Sequence, residues 1–323
     1  MLKVGLIGCG GISPVHVNGF QATGAAKVTH IYDVDESCLA KRADEWEATP
    51  LPSGQAVIES DVDILVIATP GFARLDYMLA AAASGKHLMS EKPIALNLED
   101  AEAMRAAVAA SPGVFLTNFT QRCNPPLVTL QRAQQEGRIG GTVSAWARLH
   151  APAPSARWRE IEASGHWRSS KELSGGRINE FCSHTVNWLL WVLGKPQTVY
   201  GRALCVTAGF GLDDADYALI ECENGTGLLE VNRHAAVAPE ENYGILGHRG
   251  SVVVKDGAIR LTAMDGKPEE LPLADNVPSP HQHMINCIQT GTAPNNGIDQ
   301  AIDTLKVCLA FNRSAESGKV EMV

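Results

Sequence analysis

The stretch that decides the fold is Leu2-Lys3-Val4-Gly5-Leu6-Ile7-Gly8-Cys9-Gly10-Gly11-Ile12-Ser13-Pro14. A mainly apolar run leads without alternation into a glycine cluster, as a strand covered on both faces does. Ser13 and Pro14 then offer an N-cap and a proline at the first helical position. Gly8 allows a tight turn, and Gly10 lets the backbone approach a pyrophosphate with no Cβ in the way. The following helix N-terminus adds free N–H groups and the positive end of a dipole. Ser13 stands where G-x-G-x-x-G has its third glycine, and a small residue there still permits close helix–strand packing.

The alternation continues downstream. Lys27–Tyr32 reads as a second strand, and Asp35 can cap a helix running through Trp46. Asp63–Ala68 is another buried strand, 72–83 a helix closed near Gly85, and His87–Ser90 the next strand. Asn97 with Asp100 resembles a capping box for a helix over 98–110, and Val114–Phe119 is the last strand of the set. Such a pattern predicts a parallel sheet with right-handed crossovers. After about residue 121 it changes. Pro125-Pro126 opens a helix ending at Gly137, residues 142–149 alternate as a strand, and 151–172 read as a loop. A long helix over about 178–193 stops at Gly194. Asn224-Gly225, Asp256-Gly257 and Asp265-Gly266 mark antiparallel hairpins. Helices start at Ser279-Pro280 and span 298–316. The expected fold is an α/β Rossmann domain with a parallel, doubly wound sheet over 1–121. An α+β domain with a large, mostly antiparallel sheet follows over 122–323.

A chain of 323 residues, 45% hydrophobic, suits two domains with sizeable cores. Its net charge of −9 argues against nucleic acid as a partner, because an acidic surface repels phosphate backbones. No apolar run reaches the roughly 18 residues of a membrane span. No basic segment or cleavage site precedes Leu2, so neither a membrane partner nor a signal peptide is expected. The eight cysteines show no C-x-x-C spacing and read as scattered thiols of a cytoplasmic protein. No metal site is expected: His281 and His283 are two apart on a helix, diverge, and read as surface.

Several residues are candidates for chemistry. Asp33 ends the second strand, where a carboxylate accepts hydrogen bonds from the ribose of a dinucleotide and repels a 2′-phosphate. NAD is therefore favoured over NADP, although Lys41 and Arg42 further on are compatible with a phosphate. The other reading of Asp33 is a helix cap. Glu91-Lys92-Pro93 follows a strand directly, and ligands of open parallel sheets sit outside the carboxyl ends of strands. Pro93 disfavours helical geometry at Lys92 and so holds it extended. The other reading is a surface lysine in a turn. Glu180, His184 and Asn187 are four and three apart, on one face of an otherwise apolar helix. Burying them without partners is costly, so the face is expected to meet a cleft. The other reading is a core histidine satisfied by Glu180. Trp167 and Trp158 can stack on a sugar ring, whereas Trp188 and Trp191 read as core. Gln121 and Arg122 follow the last strand of the first domain and can reach the nicotinamide side.

Taken in order, Gly8-x-Gly10-Gly11-Ile12, Asp33, Ala68-Thr69-Pro70, Gly85-Lys86-His87, Glu91-Lys92-Pro93 and Gly175-Gly176…Glu180…His184 form a specific set. With Trp167-Arg168 and the turn Gly247-His248-Arg249-Gly250, it resembles the glucose–fructose oxidoreductase / inositol dehydrogenase / MocA (GFO/IDH/MocA) family over nearly the whole chain. The resemblance implies an NAD(P)-dependent dehydrogenase or reductase acting on a secondary alcohol or ketone of a sugar, cyclitol or related polyol. It implies that Lys92 binds the reacting hydroxyl and the cofactor, that His184 is the general base, and that Glu180 supports catalysis. Cofactor contacts are expected from Gly8, Gly10, Gly11, Ile12, Asp33, Thr69, Pro70, Glu91, Lys92 and Gln121. Substrate contacts are expected from Lys92, Trp167, Arg168, Glu180, His184 and Asn187. The set suits the chemistry. A base must take the hydroxyl proton as hydride leaves the same carbon, and a cation must stabilise the developing alkoxide. The family usually has Asp where Glu180 stands, often Asp where Asn187 stands, and often His where Arg74 stands. The resemblance further implies a homodimer or homotetramer joined through the second-domain sheet. Two rival functions are an NAD-dependent glycoside-cleaving enzyme of the same family and a non-catalytic NAD-binding regulator. Retention of Lys92 and His184 counts against the regulator.

Overall fold

The computed structural model describes residues 1–150, 164–206, 213–232, 241–264 and 266–323. Trp158, Asp265 and most of the expected loop over 151–172 therefore lie outside the described residues. The chain divides into two compact units, Met1–Thr120 with Pro278–Ile302, and Gln121–Val277 with Asp303–Val323.

In the first unit, strands β1 (Leu2–Ile7), β2 (Ala26–Tyr32), β3 (Thr49–Pro50), β4 (Ile64–Ile67), β5 (His87–Ser90) and β6 (Phe115–Thr117) alternate with helices. These are α1 (Ser13–Ala22), α2 (Glu36–Trp46), α3 (Gly54–Glu59), α4 (Leu75–Ala83) and α5 (Leu98–Ala110). The strands pair in parallel in the order β3-β2-β1-β4-β5-β6. Val4, Leu6, Ile7 and the whole of β4 are buried, which is why those runs carry no polar alternation. The order reverses at β1, and at such a switch point an open sheet leaves a crevice. Register sets Tyr32 beside Ile7, Ile7 beside Ile67, Ile67 beside Ser90, and Ser90 beside Thr117. The next residues, Asp33, Gly8, Ala68, Glu91 and Asn118, thus leave the sheet in one row.

Local details differ from the sequence reading. Ser13 is not the cap of α1. Ile12 holds that position, and the buried Ser13 hydroxyl donates to the Gly8 carbonyl at 2.7 Å, closing the glycine turn. The helix expected over 72–83 is a 3-10 turn, Gly71–Ala73, followed by α4. Elements β3 and α3 were not expected, being too short for a periodic signal. Asn97 does cap α5, accepting from the Asp100 N–H at 2.8 Å, while its amide donates to the Asp100 carboxylate at 3.0 Å.

The second unit opens with α6 (Pro125–Gln135), β7 (Thr142–His150) and a short helix α7 (Lys171–Ser174). A π-helical turn, Ile178–Cys182, runs into α8 (Ser183–Leu193). Then come β8 (Pro196–Leu204), β9 (Ala215–Cys222), β10 (Gly225–Asn232), β11 (Glu241–Gly247), β12 (Gly250–Lys255), β13 (Ala258–Ala263) and β14 (Pro268–Leu271). Among the described pairings of this sheet only β7 with β10 is parallel. Asp256 and Gly257 both have positive φ, 50° and 78°, the geometry of a tight hairpin between β12 and β13. Helix α8 lies on β7 and β10 and buries Val186, Trp188, Leu189, Val192 and Leu193.

A single cut at 121/122 is expected from the sequence; the chain passes to the second unit at Gln121 and returns to the first at Pro278. Helix α9 (Pro280–Thr290) packs on α1, and its Met284 and Ile285 join the core beneath the first sheet. Helix α10 (Ile298–Ser317) follows, and β15 (Glu321–Met322) ends the order β14-β13-β12-β11-β7-β10-β9-β8-β15. Among the described residues, no helix is long and apolar enough to cross a membrane.

Candidate active site

The glycine turn is shaped for close approach on one side and open on the other. Gly8 has φ +97°, and a Cβ there would lie 2.9 Å from the Ala68 carbonyl. A Cβ at Gly10 would meet nothing within 4 Å. Gly10, Gly11 and Ile12 are exposed, and the first turn of α1 has neither a side-chain cap nor an acidic residue. The Ser13 and Val15 N–H groups turn back to the Gly10 and Ile12 carbonyls, so it is the exposed main chain of Gly10, Gly11 and Ile12, beside open space at the head of α1, that fits the diphosphate of a dinucleotide. Asp33 anchors this turn: its carboxylate accepts from the Cys9 N–H at 2.6 Å and the Asp35 N–H at 2.9 Å. Asp35, not Asp33, caps α2, accepting from Ser37 and Cys38 N–H. Val34, which the sequence did not single out, stands 82% exposed beside Asp33.

The turn after β5 is held by a buried polar network. Glu91 accepts from His16 Nε2 at 3.0 Å and from the Asn118 amide at 2.6 Å, and its other oxygen accepts from the Lys92 N–H at 3.1 Å. Burial alone would raise the Glu91 carboxyl. His16, Lys92 and Asn118 outweigh it and hold the group well below the usual carboxylate range. Its side chain is thus turned inward, away from the role of a side-chain cofactor contact. His16 Nδ1 shares a hydrogen bond with His281 Nε2 at 3.1 Å. His281 is therefore not the surface residue expected. It is 3% exposed, fills the space beside Gly19 and Phe20, and burial with neighbouring His16 lowers it to about 3. Arg74 is also buried. Its guanidinium donates to the carbonyl oxygens of Thr69, Glu91 and Pro93. Lys92 is half-buried between buried Glu91 and Pro93, and the Lys92–Pro93 bond is cis.

In the second unit, the helix expected over 178–193 begins with a π turn. Such turns are rare and recur at functional sites. The wider turn changes the expected single polar face, and the side chains engage different elements. Glu180 is 4% exposed and accepts from Arg168 Nε at 2.9 Å. The Arg168 guanidinium also lies over the Trp167 ring at 4.2 Å, and Trp167 stacks on His166. His184 is half-buried in the first turn of α8. Asn187 is 1% exposed. It accepts from Arg122 Nε at 2.6 Å and donates to Thr304 Oγ1 at 3.0 Å. Arg122 lies over Trp191, and burial lowers it only to about 10, so it stays a cation at neutral pH. Gln121 donates to Tyr243 Oη at 2.9 Å and Thr185 Oγ1 at 3.3 Å. Trp188 is fully buried, edge-on to Tyr243, as its helical position predicts.

Sequence reasoning missed His16, Asn118 and the Arg122–Asn187 pair. A signal existed for the histidines. His16 shares a buried stripe with Ser13, Val17 and Phe20, and His281 with Met284 and Ile285. Among the described residues, no group of three or more His, Cys, Asp or Glu side chains is placed to hold a metal.

Comparison with known proteins agrees with this geometry at both units. The model for an oxidoreductase family with an NAD-binding Rossmann fold (GFO_IDH_MocA) matches residues 2–119. The model for the GFO/IDH/MocA C-terminal domain matches residues 127–253. The chain is 26% identical to 2,7-anhydro-N-acetylneuraminate hydratase of Escherichia coli, over 79% of this chain and 68% of that protein. It is 22% identical to inositol 2-dehydrogenase of Rhizobium meliloti, over 82% and 80% of the two. Its fold matches that of the WlbA dehydrogenase from Bordetella pertussis, solved with NADH and UDP-GlcNAcA. The TM-score is 0.84 at 24% identity, covering 100% of this chain and 98% of that one. Matched in both halves, the chain belongs to the GFO/IDH/MocA family of NAD-binding oxidoreductases.

Proposed function

We propose that this protein transfers a hydride between NAD(H) and a secondary alcohol or ketone of a sugar, cyclitol or related polyol. One observation carries the reading: the glycine cradle and the Lys92 turn leave the same sheet edge, separated by a single strand, β4. Two strand spacings put them about 10 Å apart. Gly8, Gly10, Gly11 and Ile12 hold the diphosphate, Asp33 the adenosine ribose, and Thr69, Pro70, Gln121 and the Glu91 main chain the nicotinamide half. When bound, NAD+ supplies the hydride acceptor. Lys92 binds the reacting oxygen and stabilises its negative charge as the C–H bond breaks. The His184 imidazole takes the hydroxyl proton, and returns it in the reverse direction. Arg168 orients Glu180, which grips a neighbouring hydroxyl, and Trp167 offers a ring face to the substrate. Asn187 contributes through the Arg122 contact that fixes the inner side of α8.

The Asp33 carboxylate favours NAD over NADP. The polyol class rests on the chemistry of this set and on relatives named for a sugar derivative and for inositol. Eight cysteines outside any disulfide suit a reducing, cytoplasmic setting. Exposed Tyr217, Leu219, Leu228 and Leu246 on the second-unit sheet favour pairing of copies through that sheet. A single monomeric species in sedimentation would refute the pairing.

The test is a panel of sugars, inositols and their keto forms, followed by NADH absorbance. Net NADH formation from a free polyol supports the proposal. Release of a cleaved glycoside with no net change in NADH would replace it with oxidation–elimination chemistry. Tight NAD binding without turnover on any member would make the protein a regulator instead.

A further inference from the structure

We infer that Arg74 is a positioning residue for Lys92, holding the main chain on both sides of the reacting lysine. The inference rests on the role proposed above for Lys92. Arg74 follows the 3-10 turn Gly71–Ala73, at the head of α4, and is 1% exposed. One terminal nitrogen donates to the carbonyl oxygens of both Glu91 and Pro93, the residues flanking Lys92. The other donates to the Thr69 carbonyl, two residues beyond β4. A planar guanidinium has five donors in fixed directions, so it can join three carbonyls from two chain segments at once. An imidazole has at most two N–H groups, pointing apart, and cannot do the same. An ammonium has three donors but radiates them from one point.

The clamp does not act alone. Glu91, itself fixed by His16 and Asn118, accepts the Lys92 N–H. The Glu91–Lys92 peptide unit is thus held through its carbonyl by Arg74 and through its N–H by the Glu91 carboxylate, and the Pro93–Ile94 unit through its carbonyl by Arg74. Misplacing a reacting group by about 1 Å can cost about a hundredfold in rate. Two of the three carbonyls that Arg74 holds flank Lys92 and the third is that of Thr69, so an effect through Lys92 is told from one through the cofactor by kcat against the NAD+ Kd.

The experiment uses the full-length chain in four forms: wild type, Arg74→Ala, Lys92→Ala and the double variant. The substrate is whichever panel member gives the fastest NADH formation. Arg74→Ala is expected to lower kcat by roughly ten- to a hundredfold, with KM and the NAD+ Kd shifting less than about threefold. In the Lys92→Ala background it should cost nothing further. Added methylguanidinium should restore part of kcat to Arg74→Ala and none to the double variant. Multiplying losses, or a kcat within threefold of wild type for Arg74→Ala, overturn the inference. If Arg74→Ala does not fold, Arg74→Lys takes its place, with a smaller loss and the same dependence on Lys92. A second readout needs no substrate: the rate of Lys92 acetylation by acetic anhydride, read by mass spectrometry with NAD+ bound. Arg74→Ala should change that rate several-fold, and no change counts against the clamp. If Lys92→Ala turns over at the wild-type rate, the functional reading fails, and the acetylation result alone decides on Arg74.

Discussion

The two units place their candidate residues on different principles. In the first unit the key positions are dictated by main chain. Parallel register brings Asp33, Gly8, Ala68, Glu91 and Asn118 out in one row, and the side chains there (Ser13, Asp33, Arg74, Glu91) grip main-chain carbonyl and N–H groups. In the second unit they are dictated by side chains. Glu180, Asn187 and Gln121 owe their placement to Arg168, Arg122, Thr304 and Tyr243. A register-fixed row tolerates little change without moving a whole sheet. A web of side-chain pairs can be rewired one residue at a time. The proposed function gives the cofactor contacts mainly to the first kind of architecture and the substrate contacts mainly to the second.

The largest test of that contrast removes one group from each half. Lys92→Ala and His184→Ala are each expected to lower turnover by on the order of a hundredfold or more, with NAD+ still bound. Steady-state rates beside an NAD+ titration check this, and near-normal rates in both variants would break the assignment. Next, Asn187→Ala removes the acceptor of a buried, charged N–H donor. It should lower stability by about 2 kcal/mol, read by urea unfolding, with the loss confined to probes in the second unit. An equal loss at first-unit probes would blur the distinction between the halves.

Acid should act first on the other half. Burial, then His16, depress His281 to about 3, far below its unfolded value. A proton therefore binds the unfolded state more readily, and stability falls as pH drops from about 6.5 toward 3. Glu91, whose carboxyl is also depressed, adds loss in the same direction below its unfolded value. His281→Gln should flatten the upper part of this slope, worth on the order of 2 kcal/mol between pH 7 and 4. An unchanged slope would remove His281 from the account. The smallest effect is on cofactor choice: Asp33→Ala should narrow the NAD/NADP preference by about tenfold, close to the value of one charged contact. A constant ratio of kcat/KM for the two cofactors would take Asp33 out of the ribose site.

The same contrast explains what the sequence disclosed. The strands of the first unit are legible because a doubly covered strand must be apolar throughout, as in Val4–Ile7 and β4. The turn chemistry is legible because only glycine fits Gly8. What escaped is what depends on distant partners. The π turn at Ile178–Cys182 leaves no mark in local propensity. The two-residue β3 is too short for any period. The surface reading of His281 fails because the apolar stripe through Met284 and Ile285, and not the spacing to His283, decides which way it faces. The Arg74 clamp was visible only as a departure from the family's usual histidine.

The path of the chain also limits how the nucleotide-binding half can be moved about. Because α9 sits on α1 and lends Met284, Ile285 and His281 to that core, no single cleavage releases a complete N-terminal module. A fragment ending near residue 120 would bare the apolar surface around Phe20 and leave His16 short of a neighbour. Grafting this half onto another catalyst would require carrying residues 278–302 along, spliced directly behind the last parallel strand.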